Sequence, residues 1–310
     1  MFKFDFQVEE TEEENPFVND KHCADKEKIV SLDSSIIDWY EAEEVLLSKE
    51  IIENIDVCKL NSTEKSIDGV SITHMVAGFL LEDIKDNEHT DLDIKKAEEQ
   101  HSDLIPGVYE GGAKIWECTD DLLQYLAENY KDEKWPTANV LDLGCGSGLL
   151  GIYAFLKGAK VTFQDYNKDV LEKITIPNVL LNTATTNEKE DGEQEVLYDV
   201  KKIEENVKFY SGDWSKWSQM FENEEKYDII LTSETIYNPQ NQQKLLNCLY
   251  DQLKPNGVVL LAAKIYYFGV GGGLRQFEEL IEKDKRFKCK TVWLSTEGVN
   301  REIVELIKLT

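Results

Sequence analysis

Glu234 and Tyr237 stand three residues apart, immediately after the apolar run YDIILT (227–232) and beside Ser233. A carboxylate and a phenol at that spacing can serve a nucleophilic nitrogen, one orienting it and accepting its proton, the other shaping the pocket. A bare Glu-x-x-Tyr pair carries little information. Its place just beyond a buried strand, where open parallel sheets bind their ligands, makes it a candidate. One helical turn is expected to put both side chains on the same side.

A second group surrounds a glycine loop. The strand-like VLDL (140–143) runs into Gly144, Cys145, Gly146, Ser147 and Gly148, and then into the helical LLGIYAFL. Glycines at a strand-to-helix turn let a ligand approach the backbone, and the helix amino terminus adds partial positive charge. Gly146, Gly148 and Gly151 also satisfy the G-x-G-x-x-G pattern of dinucleotide-binding folds. Asp142, two residues ahead of Gly144, would repel a pyrophosphate there and is expected to meet the ammonium of an amino-acid-like ligand. Asp165, between Gln164 and Tyr166 at the end of the next strand, can accept both hydroxyls of a ribose. Gly212, Asp213 and Trp214 follow the third strand, where the carboxylate can take an adenine amino group and the indole can pack on the purine. A plain helix cap is the rival reading of Asp213.

These residues need a scaffold that delivers strand ends side by side. After Pro106, VLDL, VTFQ (161–164), VKFY (207–210), YDIILT and VVLLAAK (258–264) alternate with helical stretches, which predicts a parallel sheet with crossovers. FKCKTVWLST (287–296) and REIVELIKL (301–309), four residues apart, predict an antiparallel hairpin at the end of that sheet. The acidic stretch between Leu181 and Asn206 reads as a surface loop. Upstream of the first strand, GVYEGGAKIWECT supplies Tyr109, Gly111, Gly112, Trp116 and Glu117. After the fifth, KIYYFGVGGGLRQF has the composition of a mobile lid.

The first third is different. The chain has 310 residues and a net charge of −27, and residues 1 to 100 hold 27 acidic against 10 basic side chains. Phe2, Phe4, Phe6 and Val8 alternate as a short strand would, and Ile36 to Leu47 shows helical spacing of Ile36, Trp39, Tyr40 and Leu46. Residues 1–100 read as a poorly packed acidic extension and 101–310 as the catalytic domain. The acidic field repels nucleic acid and membrane surfaces alike, so no direct nucleic-acid binding and no membrane association are expected. The amino terminus lacks the blocks of a signal peptide, so a cytoplasmic and nuclear location is expected. Six scattered cysteines without a C-x-x-C pair predict reduced thiols and no metal site.

Taken together, SDLIPGVYEGGAKIWECT, VLDLGCGSGLLGI, FQDYN, GDW, ILTSETIYNP and YYFGVGGG resemble the eukaryotic protein-histidine N-methyltransferases. These are a branch of the class I S-adenosylmethionine-dependent methyltransferases whose sister members modify lysines. The resemblance spans residues 101–310 and implies a Rossmann-like seven-stranded α/β fold with an antiparallel terminal hairpin. It implies that Ile115, Trp116, Glu117, Cys118, Thr119, Gly144, Gln164, Asp165, Tyr166, Gly212, Asp213, Trp214 and Ser233 line the S-adenosylmethionine pocket, with Asp142, Gly146 and Gly148 in its first motif. Glu234 and Tyr237 match the catalytic acid-x-x-Tyr motif. The implied substrate is the distal ring nitrogen of one histidine in a large-subunit ribosomal protein, ribosomal protein L3, which links the enzyme to ribosome biogenesis and translation. A protein-lysine methyltransferase of the same fold and a silent cofactor-binding escort of a ribosomal protein are the rival readings.

Overall fold

A computed structural model of the chain describes residues 39–76, 78, 92–188, 194–221 and 226–309. The alternating segment at residues 2–8 lies outside them. The strands in chain order are β1 (Glu43–Glu44), β2 (Ser62–Ile67), β3 (Val70–Met75), β4 (Asn139–Leu143), β5 (Lys160–Asp165), β6 (Ala184–Glu188), β7 (Gln194–Tyr198), β8 (Val207–Ser211), β9 (Tyr227–Ser233), β10 (Leu253–Lys264), β11 (Phe287–Leu294) and β12 (Arg301–Lys308). Eight of them form one sheet in the order β1-β8-β5-β4-β9-β10-β12-β11. The five strands read from the sequence pair in parallel, and the terminal hairpin adds antiparallel with β12 between β10 and β11. This is the expected seven-stranded α/β arrangement, with the two-residue β1 on the β8 edge as an eighth.

Alternation along the strands sorts the core into two layers. In β4, Val140 packs on one face with Leu122, Ile152 and Phe155, while Leu141 and Leu143 pack on the other with Leu245, Leu249 and Phe277. Strand order reverses at β4, with β5 and β8 to one side and β9 and β10 to the other. Such a reversal opens a crevice at the carboxyl ends of the strands. Among the described residues no helix is long and apolar enough to cross a membrane.

Three expectations need correction. Residues 39–47 form no helix: the chain runs extended through β1, because Asp213 N–H donates to Tyr40 O and Val45 N–H to Phe209 O. Tertiary hydrogen bonds outweigh the local periodicity there. The interval 181–206 is not a plain loop. It holds the exposed antiparallel ribbon β6–β7 and a helix, Val200–Asn206, capped by Asp199.

The poorly packed extension is also incorrect over residues 39–75. Val45, Ile55, Ile67, Ile72 and Met75 are buried in the main core. Asn178, on the helix Ile176–Leu181, and Asn182, the residue that ends it, clamp β3 like a surrogate strand. Their Oδ1 atoms accept Met75 N–H (2.8 Å) and Thr73 N–H (2.9 Å), and Asn182 Nδ2 donates to Thr73 O (2.7 Å). Ile72, fully buried, fills the space beneath. Ile72→Ala should cost about 2–5 kcal/mol in urea unfolding; a loss below about 1 kcal/mol, well short of that cavity cost, would show that the hairpin is not part of the cooperative core.

Candidate active site

The crevice at the strand ends holds a cavity that opens to solvent. The glycine loop forms its floor. Gly144, Gly146 and Gly148 all have left-handed backbone, with φ of 66°, 51° and 78°, a region costly for side-chain-bearing residues. A Cβ on Gly146 would lie 2.8 Å from Gly112 O, and one on Gly148 would lie 2.8 Å from Thr175 Cγ2. The loop is fastened from outside: Thr175 Oγ1 donates to Gly146 O (2.6 Å) and Asn178 Nδ2 to Ser147 O (2.9 Å). The helix that clamps β3 therefore also fixes the ligand cradle.

Most of the predicted residues meet here. Gly144 and Gly146 from the loop, Asp165 and Tyr166 from β5, and Gly212, Asp213 and Trp214 after β8 line the cavity, as do Ser233, Glu234 and Tyr237 after β9. Ile115, Trp116 and Thr119 close it from the segment before and within the first catalytic-domain helix, and Thr119 Oγ1 bonds Ser233 Oγ at 2.9 Å. Gly148, Glu117, Cys118, Asp142 and Gln164 do not line it. Gly148 starts the helix Leu149–Leu156, the exposed Glu117 pairs with Lys264 Nζ (2.8 Å), and Cys118 donates its N–H to Glu234 Oε1 (3.3 Å). Gln164 is a brace: Nε2 donates to Gly212 O (2.8 Å) while Oε1 accepts Trp214 Nε1–H (3.0 Å).

The correction at Asp142 follows from strand alternation. Its side chain shares the face of Val140, under the helix, and its Oδ2 accepts the Gly151 N–H at 2.8 Å. Burial pushes its pKa up to about 8, against that bond, and Asp165 adds to the rise. Burial also pushes Asp165 up to about 6, although it accepts the Gly146 and Asn167 N–H groups at 2.8 and 3.1 Å. A raised folded-state pKa gives stability that is full below the unfolded value, about 3.9, and is lost as pH rises through the folded one. Asp142→Asn keeps the acceptor for Gly151 and should gain on the wild type, in thermal midpoint of the unliganded protein, as pH goes from 5 to 8.5. A pH-independent difference would refute this origin.

Asp213 is both cap and lining residue. Oδ1 accepts Ser215 N–H (3.0 Å), and Oδ2 pairs with Lys244. Among the lining residues that the sequence reading did not place there are Trp39, Glu110 and Lys244. Lys244 Nζ sits 3.6 Å from the Trp39 ring centre, a cation–π contact. Trp39 also meets Tyr166 edge-on at 5.8 Å, and Tyr40 stacks on Tyr166 at 4.9 Å. The segment read as part of a poorly packed extension thus contributes an aromatic wall.

Glu234 has the most unusual environment. Its φ is +60°, rare for a residue with a side chain, and the conformation is held by its N–H donating to Ala262 O (3.0 Å). Backbone of this kind costs of order 1–3 kcal/mol and collects at functional sites. The carboxylate is buried, with Oε1 bonded to Cys118 N–H and 3.6 Å from Lys264 Nζ. Oε2 is buried and has no hydrogen-bond partner among the described residues. Glu234 and Tyr237 reach the same space from an irregular segment and not from the expected helical turn. Both, with Glu110, Gly111 and Trp116, also line a second groove of about 920 Å³, walled by Tyr266, Tyr267, Phe268 and Val270. The lid sequence is therefore a groove wall, with Phe268 82% exposed.

Residues 106–269 match the family model described as lysine methyltransferase. A Bos taurus histidine protein methyltransferase 1 homolog is 41% identical over 271 residues, covering 83% of this chain and 69% of that protein. The Dictyostelium discoideum homolog is 46% identical over 207 residues, 66% of this chain and 60% of the relative. The Saccharomyces cerevisiae histidine protein methyltransferase 1 is 32% identical over 237 residues, 63% of each. The chain thus spans less than two thirds of the amoebal and yeast relatives.

The cavity suits the methyl donor of such enzymes: a left-handed glycine loop on its wall, Asp165 at the end of β5, and an indole beside Gly212. The chain belongs to the family of S-adenosylmethionine-dependent methyltransferases that contains the histidine protein methyltransferase 1 proteins.

Proposed function

We propose that the chain is a protein-histidine N-methyltransferase acting on the distal ring nitrogen of one histidine in a large-subunit ribosomal protein, of which ribosomal protein L3 is the expected case. The observation that carries the reading is Glu234, a buried carboxylate that lines both cavities and whose Oε2 has no hydrogen-bond partner among the described residues. A neutral imidazole entering by the aromatic groove has one N–H to give and one nitrogen lone pair to attack with. Glu234 accepts the N–H, orients the ring and stabilises the positive charge that develops on it. Bound S-adenosylmethionine supplies a methyl carbon on a sulfonium, open to in-line displacement. Lys264 and Cys118 N–H hold the carboxylate in place.

The names of the relatives favour histidine as the acceptor. The family model's description favours lysine, whose neutral amine would use the same carboxylate. The net charge of −27 suits capture of a basic ribosomal protein before it assembles with RNA, in the cytoplasm or nucleus. Purified protein with methyl-labelled S-adenosylmethionine should label one protein among unassembled large-subunit proteins and none in intact subunits. Cofactor binding without transfer to any ribosomal protein would overturn the reading in favour of an escort.

A further inference from the structure

Glu110 is fixed on three sides. Its N–H donates to Asn167 Oδ1 (3.0 Å), its Oε1 accepts the Gly107 N–H (2.8 Å), and its Oε2 accepts the hydroxyl of Tyr237. Asn167, fully buried, is itself tied to Val108 O by Nδ2 at 2.6 Å. Tyr237 is fixed from its own side, because a Cβ on Gly272 would collide with the Tyr237 carbonyl, so the glycine-rich loop packs directly on that backbone. Carboxylate and phenol meet where both cavities share their lining.

The direction of this hydrogen bond has a chemical consequence. A carboxylate only accepts, so Tyr237 must donate to it, and the remaining phenol lone pairs face elsewhere. A phenol free to rotate would offer its O–H to the best acceptor nearby, which during reaction is the lone pair of the attacking nitrogen. A lone pair so engaged is a poorer nucleophile. We propose that Glu110 is a positioning residue that withholds the Tyr237 hydroxyl proton from the attacking nitrogen, so that Tyr237 presents oxygen lone pairs to a centre becoming cationic. The inference rests on Glu234 and Tyr237 forming the acceptor side of the site. It extends to any neutral nitrogen acceptor, histidine or lysine. Burial and the neighbouring carboxylate hold the Tyr237 phenol well above its usual pKa, so the proton stays on the oxygen.

Glu110→Gln reverses the bond. The Gly107 N–H keeps the amide oxygen, which leaves the amide nitrogen, a donor, facing Tyr237 and turns the hydroxyl into the site. Turnover number should fall at least about tenfold, with cofactor affinity by calorimetry and the Michaelis constant for the protein acceptor changed less than about twofold. Tyr237→Phe removes the misplaced donor, so the double variant should turn over faster than Glu110→Gln alone and no slower than Tyr237→Phe. Glu110→Ala, which frees the hydroxyl without adding a donor, should show the same rescue. Independent, multiplying losses in both double variants, or full turnover in Glu110→Gln, would overturn the role of Glu110. Methyllysine as the wild-type product would overturn the histidine reading alone, and no transfer by the wild type would overturn both.

Discussion

Glu234→Gln should lower turnover about 100-fold while S-adenosylmethionine affinity stays within about twofold of the wild type. The substitution preserves size and an oxygen that accepts the Cys118 N–H, so the strained backbone and its bond to Ala262 should persist. What disappears is the negative charge beside the nitrogen that, in the proposed reaction, becomes an imidazolium. Preorganised charge of this kind acts in a buried site where water cannot replace it. The loss should appear in turnover and in kcat/KM together, as for an interaction made in the transition state. Full turnover with unchanged cofactor binding would remove Glu234 from the chemistry and leave its backbone strain without a functional reason.

Asp165→Ala should weaken S-adenosylmethionine binding about 100-fold by calorimetry. Asp165 serves two masters. It holds the cradle by accepting the Gly146 and Asn167 N–H groups, and it faces the cavity from the end of β5, where a bound ribose would present two hydroxyls. Hydrogen bonds to a charged acceptor are worth about 1.5–3 kcal/mol each, and the cradle loses an anchor as well. Gln164, one residue earlier, makes an instructive contrast. Its amide never reaches the cavity, so Gln164→Ala should weaken binding less, through the loosened Trp214 and Gly212. A cofactor affinity in Asp165→Ala within about threefold of the wild type, a change of under 1 kcal/mol, would mean that the β5 carboxylate is only structural.

The parallel strands and terminal hairpin were legible because each is a short apolar run bounded by polar turns, and the site motifs could be placed because they sit at the ends of those runs. Asp142 shows where this reasoning fails. Proximity to the glycine loop suggested a ligand contact, but side-chain alternation along β4 turns it under the helix, a consequence of strand phase that needs the neighbouring strands to fix it. The segment around Trp39 has helical spacing of apolar residues, yet its partners are Tyr166, Asp213 and Lys244, more than a hundred residues away. No local pattern encodes such pairings.

Lys244 lies on the helix Pro239–Gln252, where a charged side chain ordinarily signals a solvated face. Its cavity role depends on Asp213 and Trp39 arriving from elsewhere. Glu110 was within reach, since it stands between Tyr109 and Gly111 in a motif already singled out. The glycines on its far side were the available signal that backbone and side chain are tightly placed there.

Acceptor chemistry is the central claim, and one measurement addresses it directly. The labelled large-subunit protein, produced with trideuteromethyl S-adenosylmethionine, would be hydrolysed and its modified amino acid compared with authentic methylhistidine isomers and methyllysines. The expected product is a single trideuteromethyl group on the distal nitrogen of histidine. Label recovered as methyllysine, or on the ring nitrogen nearer the backbone, would contradict it.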